Sequence, residues 1–281
     1  MAALNRIVAL AAVALLCASG CPVYNEECSP MVERPDEITG WLSGDVLTIK
    51  SETRSKENAL GQLVGEAYFH AFDGREASLL PDLGFENGGS IRSEGVCESR
   101  EIVKKGAVKR KVLREVLPFD DEVVVVSITH RQLKNMLEHA IASLTPAGNA
   151  NPSGAFLHVY GGTISANCNR PAETLKSDGT RDLEGQRITS ITLIRRTGES
   201  YPIPLNPVSD TETVRVAVNS YMLAGGDNFV DLKNLDPTKS KKLSAGGFNF
   251  EIIAQYFKTA YTEQKPLPAQ ASTRWNLTDC R

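Results

Sequence analysis

Three stretches of this chain place apolar residues at helical spacing, and several others alternate or run apolar without a break. Over 56–72, Leu60, Leu63, Val64, Ala67, Tyr68 and Ala71 share one helical face, with Gly61 and Gly65 on one side where a neighbour can pack closely. Over 129–144, Leu133, Met136, Leu137, Ala140, Ile141 and Leu144 form a second face, and Thr129 or Ser127 stands where the helix needs a cap. Residues 248–261 form a third helix around Ile252, Ile253, Tyr256 and Phe257. The β-branched run 123–128 predicts a buried strand. Residues 46–49 and 156–160 are shorter strands, the latter ending at Gly161-Gly162, while 188–194 and 213–218 alternate as half-buried strands do. The polar stretch 167–186 reads as an inserted loop. Helices interrupt strands irregularly and no repeat is present, which predicts an α+β fold with a mixed β-sheet and packed helices.

The N-terminus changes the compartment. Arg6 precedes an apolar run over 7–18 that is too short to span a bilayer, and Ala18-Ser19-Gly20 is a small-residue cleavage site. Residues 1–20 are therefore expected to be a signal peptide. Cys21 follows directly, the arrangement with which bacterial lipoprotein signals end, so Cys21 is the expected lipidation site; ordinary secretion with cleavage at the same bond is the alternative. Residues 21–44, with Pro22, Pro30 and Pro35, read as a tether, and 45–281 as the domain. The expected location is the bacterial cell envelope, anchored by lipid to a membrane and facing the periplasm or the exterior.

Loss of the signal leaves about 260 residues and moves the net charge from −3 to about −4. That balance gives no support to a nucleic-acid polymer as partner. The basic residues between Lys104 and Arg114 read either as a solvated loop or as a surface steering phosphates. With Cys17 removed and Cys21 lipidated, Cys28, Cys97, Cys168 and Cys280 remain, and four cysteines allow three pairings. The expectation is Cys28–Cys280, tying the termini, and Cys97–Cys168, tying two loops. None is spaced for zinc or for a thioredoxin-like motif.

Two glycine-rich signatures carry the candidate chemistry: Asn87-Gly88-Gly89-Ser90-Ile91-Arg92 and Gly225-Gly226-Asp227-Asn228-Phe229. Each sets an Arg or a ring beside a bend that glycine makes cheaply, so backbone can approach a ligand closely. Together they predict a site for a flat, anionic molecule such as a nucleotide.

Five motifs in order resemble the C-terminal, substrate-binding domain of the 5′-nucleotidase family over roughly residues 45–262. Glu57-Asn58-Ala59-Leu60-Gly61-Gln62-Leu63-Val64 is similar to its opening helix, and the first glycine signature to its Asn-Gly-Gly-Gly-Ile-Arg. Leu117-Pro118-Phe119-Asp120-Asp121 resembles its Pro-Phe-Gly-Asn turn. Gly154-Ala155-Phe156-Leu157-His158-Val159-Tyr160-Gly161 resembles its Gly-x-Phe-Leu-Gln-x-x-Gly strand, and the second glycine signature its Gly-Gly-Asp-Gly-Phe/Tyr.

The resemblance implies roles. Phe156 and Phe229 would sandwich a base, with stacking of this kind contributing about 1–3 kcal/mol per base. Arg92 would face phosphate. Asn87, Gly88 and Gly89 would hold the loop and offer N–H donors. Gly226 and Asp227 would form and brace the second turn, with Asp231 and Asp236 competing as a ribose-binding acid. The chain departs from the family at Ser90, at Asp121, whose charge lies where phosphate is expected, at Thr129-His130 and at His158 in place of Gln. Two-domain 5′-nucleotidases do their chemistry in a metallophosphatase domain marked by Asp-x-His, Asn-His-Glu/Asp and Gly-His-x-His sets. None is in this sequence, whose histidines are His70, His130, His139 and His158. No catalytic residue, metal site or cofactor is therefore expected, and His139 beside Glu138 reads as part of a polar helix face. The leading reading is an exported nucleotide- or nucleoside-binding domain linked to nucleotide catabolism. The alternatives are the substrate-binding half of a split 5′-nucleotidase completed by a separate metallophosphatase chain, and a structural surface module that binds nothing.

Overall fold

The β-branched run predicted as a strand is covered on both faces. In the computed structural model, which describes residues 32–92, 101–148, 151–236 and 242–280, it becomes β6 (Glu122–Thr129). Its sheet has five strands in the order β14 (Leu243–Phe248), β6, β13 (Thr213–Asn219), β3 (Leu83–Asn87) and β7 (Leu157–Tyr160). Only β13 and β3 run parallel; the other pairings are antiparallel. Val123 and Val125 face one core with Leu60, Leu63 and Val64 of the Ala59–His70 helix and Ile253 and Phe257 of the Asn249–Ala260 helix. Val124, Val126 and Ile128 face a second core with the His130–Ala140 helix and a four-stranded sheet. That sheet runs β12 (Ser200–Pro202), β11 (Ile188–Ile194), β8 (Gly162–Asn167) and β15 (Trp275–Thr278). A strand buried on both sides has no polar face to alternate with, which accounts for the unbroken apolar run. Mixed sheets with packed helices make the fold α+β, as expected.

Local chemistry sets the helix limits. Asn58 caps the first helix by accepting from the Leu60 N–H at 3.0 Å. Thr129 and Gln132 form a reciprocal cap: the Gln132 N–H donates to Thr129 Oγ1 at 3.1 Å and the Thr129 N–H to Gln132 Oε1 at 2.8 Å. The first helix sits hard against β3, where a Cβ on Gly84 would lie 2.0 Å from the Gly65 carbonyl oxygen.

Several expectations are corrected. Part of the stretch read as tether is β1 (Ile38–Leu42), which pairs with β5 (Gly106–Lys109) and sets Gly40 against the Phe257 ring, and next along the chain β2 (Val46–Leu47) pairs with β4 (Ile102–Val103). The basic stretch is not a loop but β5 followed by the Arg110–Val116 helix, and most of its cations are paired. Lys104 pairs with Asp45, Lys109 and Lys111 with Asp36, Arg110 with Glu251 and Arg114 with Asp120. The inserted loop carries a small hairpin, β9 (Thr174–Leu175) with β10 (Arg181–Leu183). Cys168 is bonded to Cys280, so neither predicted pairing forms. The reason is topological: β15 lies parallel to β8 with Thr278 opposite Asn167, and each cysteine stands just past its strand end. Cys28 and Cys97, like the signal peptide and Cys21, lie outside the described residues. Among those described, no helix is long and apolar enough to cross a membrane.

Candidate functional site

Parallel pairing of β3 and β13 brings the two glycine signatures together. β3 ends at Asn87 and β13 at Asn219, and the turns after both border one cavity of about 260 Å³. Asn87 is the hub. Its side-chain oxygen accepts from Asn219 Nδ2 at 3.0 Å and from Ser90 Oγ at 2.7 Å, and its Nδ2 donates to Asp227 Oδ2 at 2.7 Å. Behind it sits Glu86, 1% exposed, accepting from Asn219 Nδ2 at 3.2 Å. Burial pushes the Glu86 carboxyl up to about 8.

The second signature forms an unusual turn. Gly225, Asp227 and Asn228 all have left-handed backbones, with φ of 89°, 49° and 65°. Two non-glycine residues in that region must be held by their surroundings. The Asp227 N–H donates to the Tyr221 hydroxyl, which itself donates to Asp227 Oδ1, both at 3.2 Å. Gly89 and Gly154 leave room for the carboxylate: a Cβ on either would lie 2.8 Å from Asp227 Oδ2. Asp227 is thus a carboxylate on the cavity wall, whereas Asp231 bonds Arg181 and Asn135, and neither it nor Asp236 lines the cavity.

Cations and rings line the same space. Arg92 lies over the Phe119 ring at 4.9 Å, a cation–π contact, and Tyr221 is 42% exposed on the wall. Arg54 also lines the cavity, and its buried Nε meets no hydrogen-bond partner among the described residues. The sequence reading missed Arg54, which follows a helix of four residues, and left Phe119 and Tyr221 without roles.

Phe156 and Phe229 do not face the cavity. They are 0% and 1% exposed and belong to the core between the sheets. Phe156 packs near Trp275 and His158, and the left-handed turn sends Phe229 inward, edge-on to His139. The rings available to a ligand are Phe119 and Tyr221.

Two departures from the family pattern gain a structural account. Asp121 borders the cavity, but its Oδ1 accepts from Ser220 Oγ at 2.8 Å and from the Tyr221 N–H at 3.1 Å, so it braces the Tyr221 segment; burial raises its pKa. His158 is buried against Gly61, with Nε2 2.9 Å from the Thr53 carbonyl and Nδ1 accepting from the Asn58 N–H at 3.4 Å. One donor and one acceptor define a neutral imidazole, and burial pulls its pKa down to about 4. Among the described residues no group of three or more His, Cys, Asp or Glu side chains could hold a metal ion.

Comparison with known proteins agrees with this geometry. The fold resembles that of a 5′-nucleotidase precursor from Thermus thermophilus, with a TM-score of 0.65 at 23% identity over 86% of this chain and 39% of that one. It also resembles the NAD nucleotidase of Haemophilus influenzae, with a TM-score of 0.59 at 18% identity over 87% and 38%. In sequence the chain is 24% identical to a trifunctional nucleotide phosphoesterase of Bacillus subtilis over 77% of its own length and 12% of the relative's. It is 22% identical to a 5′-nucleotidase of Diplobatis ommata, over 74% and 32%. The chain therefore spans about a third or less of these two curated relatives. The profile of the 5′-nucleotidase C-terminal domain matches residues 41–234, which takes in both glycine signatures and every residue of the cavity wall, and the chain belongs to that family.

Proposed function

We propose that this chain binds a nucleotide or nucleoside in the cavity lined by Phe119 and Tyr221, as the substrate-holding part of nucleotide breakdown. The carrying observation is convergence: two arginines, two accessible rings and two carboxylates, Asp121 and Asp227, border a single space. Arg54 and Arg92 suit phosphate oxygens, Phe119 and Tyr221 suit the faces of a base, and Asp227 suits a ribose hydroxyl. Hydrolysis is left to a metallophosphatase unit outside this sequence, a reading favoured by the chain's matching only a minor part of its longer relatives.

Calorimetric titration of the full chain with AMP, adenosine and a sugar nucleotide tests this. Tyr221→Ala and Phe119→Ala are each expected to weaken binding about tenfold or more, the scale of one lost stacking contact. Arg92→Ala should weaken AMP more than adenosine. Absence of binding by the native protein at millimolar ligand would sink the proposal and favour a structural module.

The chain is further proposed to be exported and anchored by lipid on Cys21, on the strength of the 7–18 apolar run and Ala18-Ser19-Gly20. Cys21→Ser should move the protein from the membrane to the soluble fraction of a lysed cell; an unchanged distribution would refute the anchor.

A further inference from the structure

His139 stands behind the Asp227 turn with acceptors at both ring nitrogens. Nδ1 lies 3.0 Å from Glu173 Oε1, and Nε2 lies 2.8 Å from the backbone carbonyl of Asp227. A carbonyl can only accept, and the same holds for a carboxylate, here one whose other oxygen takes the Arg181 Nε–H. Both bonds exist together only when both nitrogens carry protons. A neutral imidazole can donate to one partner and must turn a lone pair toward the other.

The surroundings are built for that charge. Glu173 is buried and accepts from Arg181 Nε at 3.1 Å, and Arg181 reaches on to Asp231. Asp231 also accepts from Asn135 on the helix that carries His139. Two acids and two bases thus alternate through the β9–β10 hairpin, the His130–Ala140 helix and the Val230–Lys233 helix. Glu138 takes no part, since it accepts from the Arg187 and Ile188 N–H groups. Phe229 packs against the imidazole in a T-shaped contact, with ring centroids 5.3 Å apart. Burial and the nearby Arg181 charge both lower the imidazole's pKa, but the bonds to Glu173 and Asp227 and the Glu173 charge outweigh them and hold the pKa above the ordinary 6.5.

We propose that His139 is a positioning residue for the ligand cavity: as an imidazolium it ties the strained Asp227 turn to Glu173, and loss of one proton slackens the turn and weakens ligand binding. The role rests on the nucleoside-binding reading above. It also gives the inserted segment a purpose, because Glu173, the residue just before β9, supplies the carboxylate that His139 bonds. A folded-state pKa above the unfolded one means that the contribution is complete below 6.5 and is lost as pH rises through the folded value. Binding should weaken in the same direction.

Two readouts test the proposal. Nitrogen-15 NMR of the full chain should show both His139 nitrogens protonated at pH 6.5, without any ligand. Adenosine is the probe for binding, since it has no group titrating between pH 6 and 9. Native affinity should fall about tenfold across His139's titration, a coupling of ordinary size between two linked sites. His139→Gln keeps one donor and should bind at the weakened level throughout, so the ratio of native to variant affinity falls toward one as pH rises. Any pH dependence from Glu86 is common to both proteins and cancels in that ratio. Glu173→Gln should keep the fold and move the native midpoint to lower pH. Parallel pH profiles for native and both variants, or a singly protonated ring at pH 6.5, would overturn the role while leaving nucleoside binding intact. No adenosine binding by the native chain at any pH would instead overturn the nucleoside reading, and this role with it.

Discussion

Phe156→Ala is expected to lower the unfolding free energy by about 3–5 kcal/mol, the usual cost of emptying a buried aromatic site. The ring is fully buried among Trp275, His158 and the core between the two sheets, so its removal leaves a cavity that rigid strands cannot close. Phe229→Ala should behave alike, since its ring has 1% exposure and packs on His139. Tyr221→Ala removes a ring that is 42% exposed, so stability should move by no more than about 1 kcal/mol while adenosine binding suffers. Urea denaturation beside calorimetry separates the two patterns. If Phe156→Ala kept its full stability and lost only ligand binding, the ring would be a ligand contact and the assignment of Phe119 and Tyr221 to the cavity would be wrong.

The contrast between these rings shows what the sequence could convey. Periodicity located the three long helices to within a few residues, because each buries a stripe against a sheet. Motif order carried the family. The side of the chain on which a phenylalanine points was not legible. Phe229 follows a glycine pair, which suggests a ligand, but two left-handed residues between them reverse its direction. Tyr221 sits on a helix of four residues, too short for any period to show. Arg54 was hidden for the same reason, and the disulfide depended on a parallel pairing of β8 with β15 across more than a hundred residues. His158 shows in the sequence only as a departure from the family's Gln, because its partners, the Thr53 carbonyl and the Asn58 N–H, are backbone groups brought close only by folding.

Glu86 and His158 should tilt the pH profile of stability in opposite directions, and substituting each in turn should expose the other. His158 is neutral and buried with its pKa near 4, against 6.5 for an ordinary histidine. Between those values the unfolded chain holds a proton that the folded chain lacks, so this group's contribution is lost as pH falls below 6.5. Glu86 is the reverse: its pKa is near 8 in the fold, against 4.5 ordinarily. Between those values the folded chain holds a proton that the unfolded chain has released, so stability falls as pH rises above 4.5. Each slope is about 1.4 kcal/mol per pH unit where it acts alone, and in the overlap, from 4.5 to 6.5, they cancel. His158→Gln retains a donor for the Thr53 carbonyl and an acceptor for the Asn58 N–H. Relative to native, it should gain stability as pH falls from 6.5. Glu86→Gln should gain, relative to native, as pH rises from 4.5 toward 8. Urea denaturation followed by circular dichroism at half-unit steps from pH 4.5 to 8 reads both difference curves. A flat curve for Glu86→Gln would mean that Glu86 ionises normally. The polar chain from Glu86 through Asn219 and Asn87 to Asp227 would then carry a charge into the cavity wall, and anionic ligands would meet repulsion from behind it.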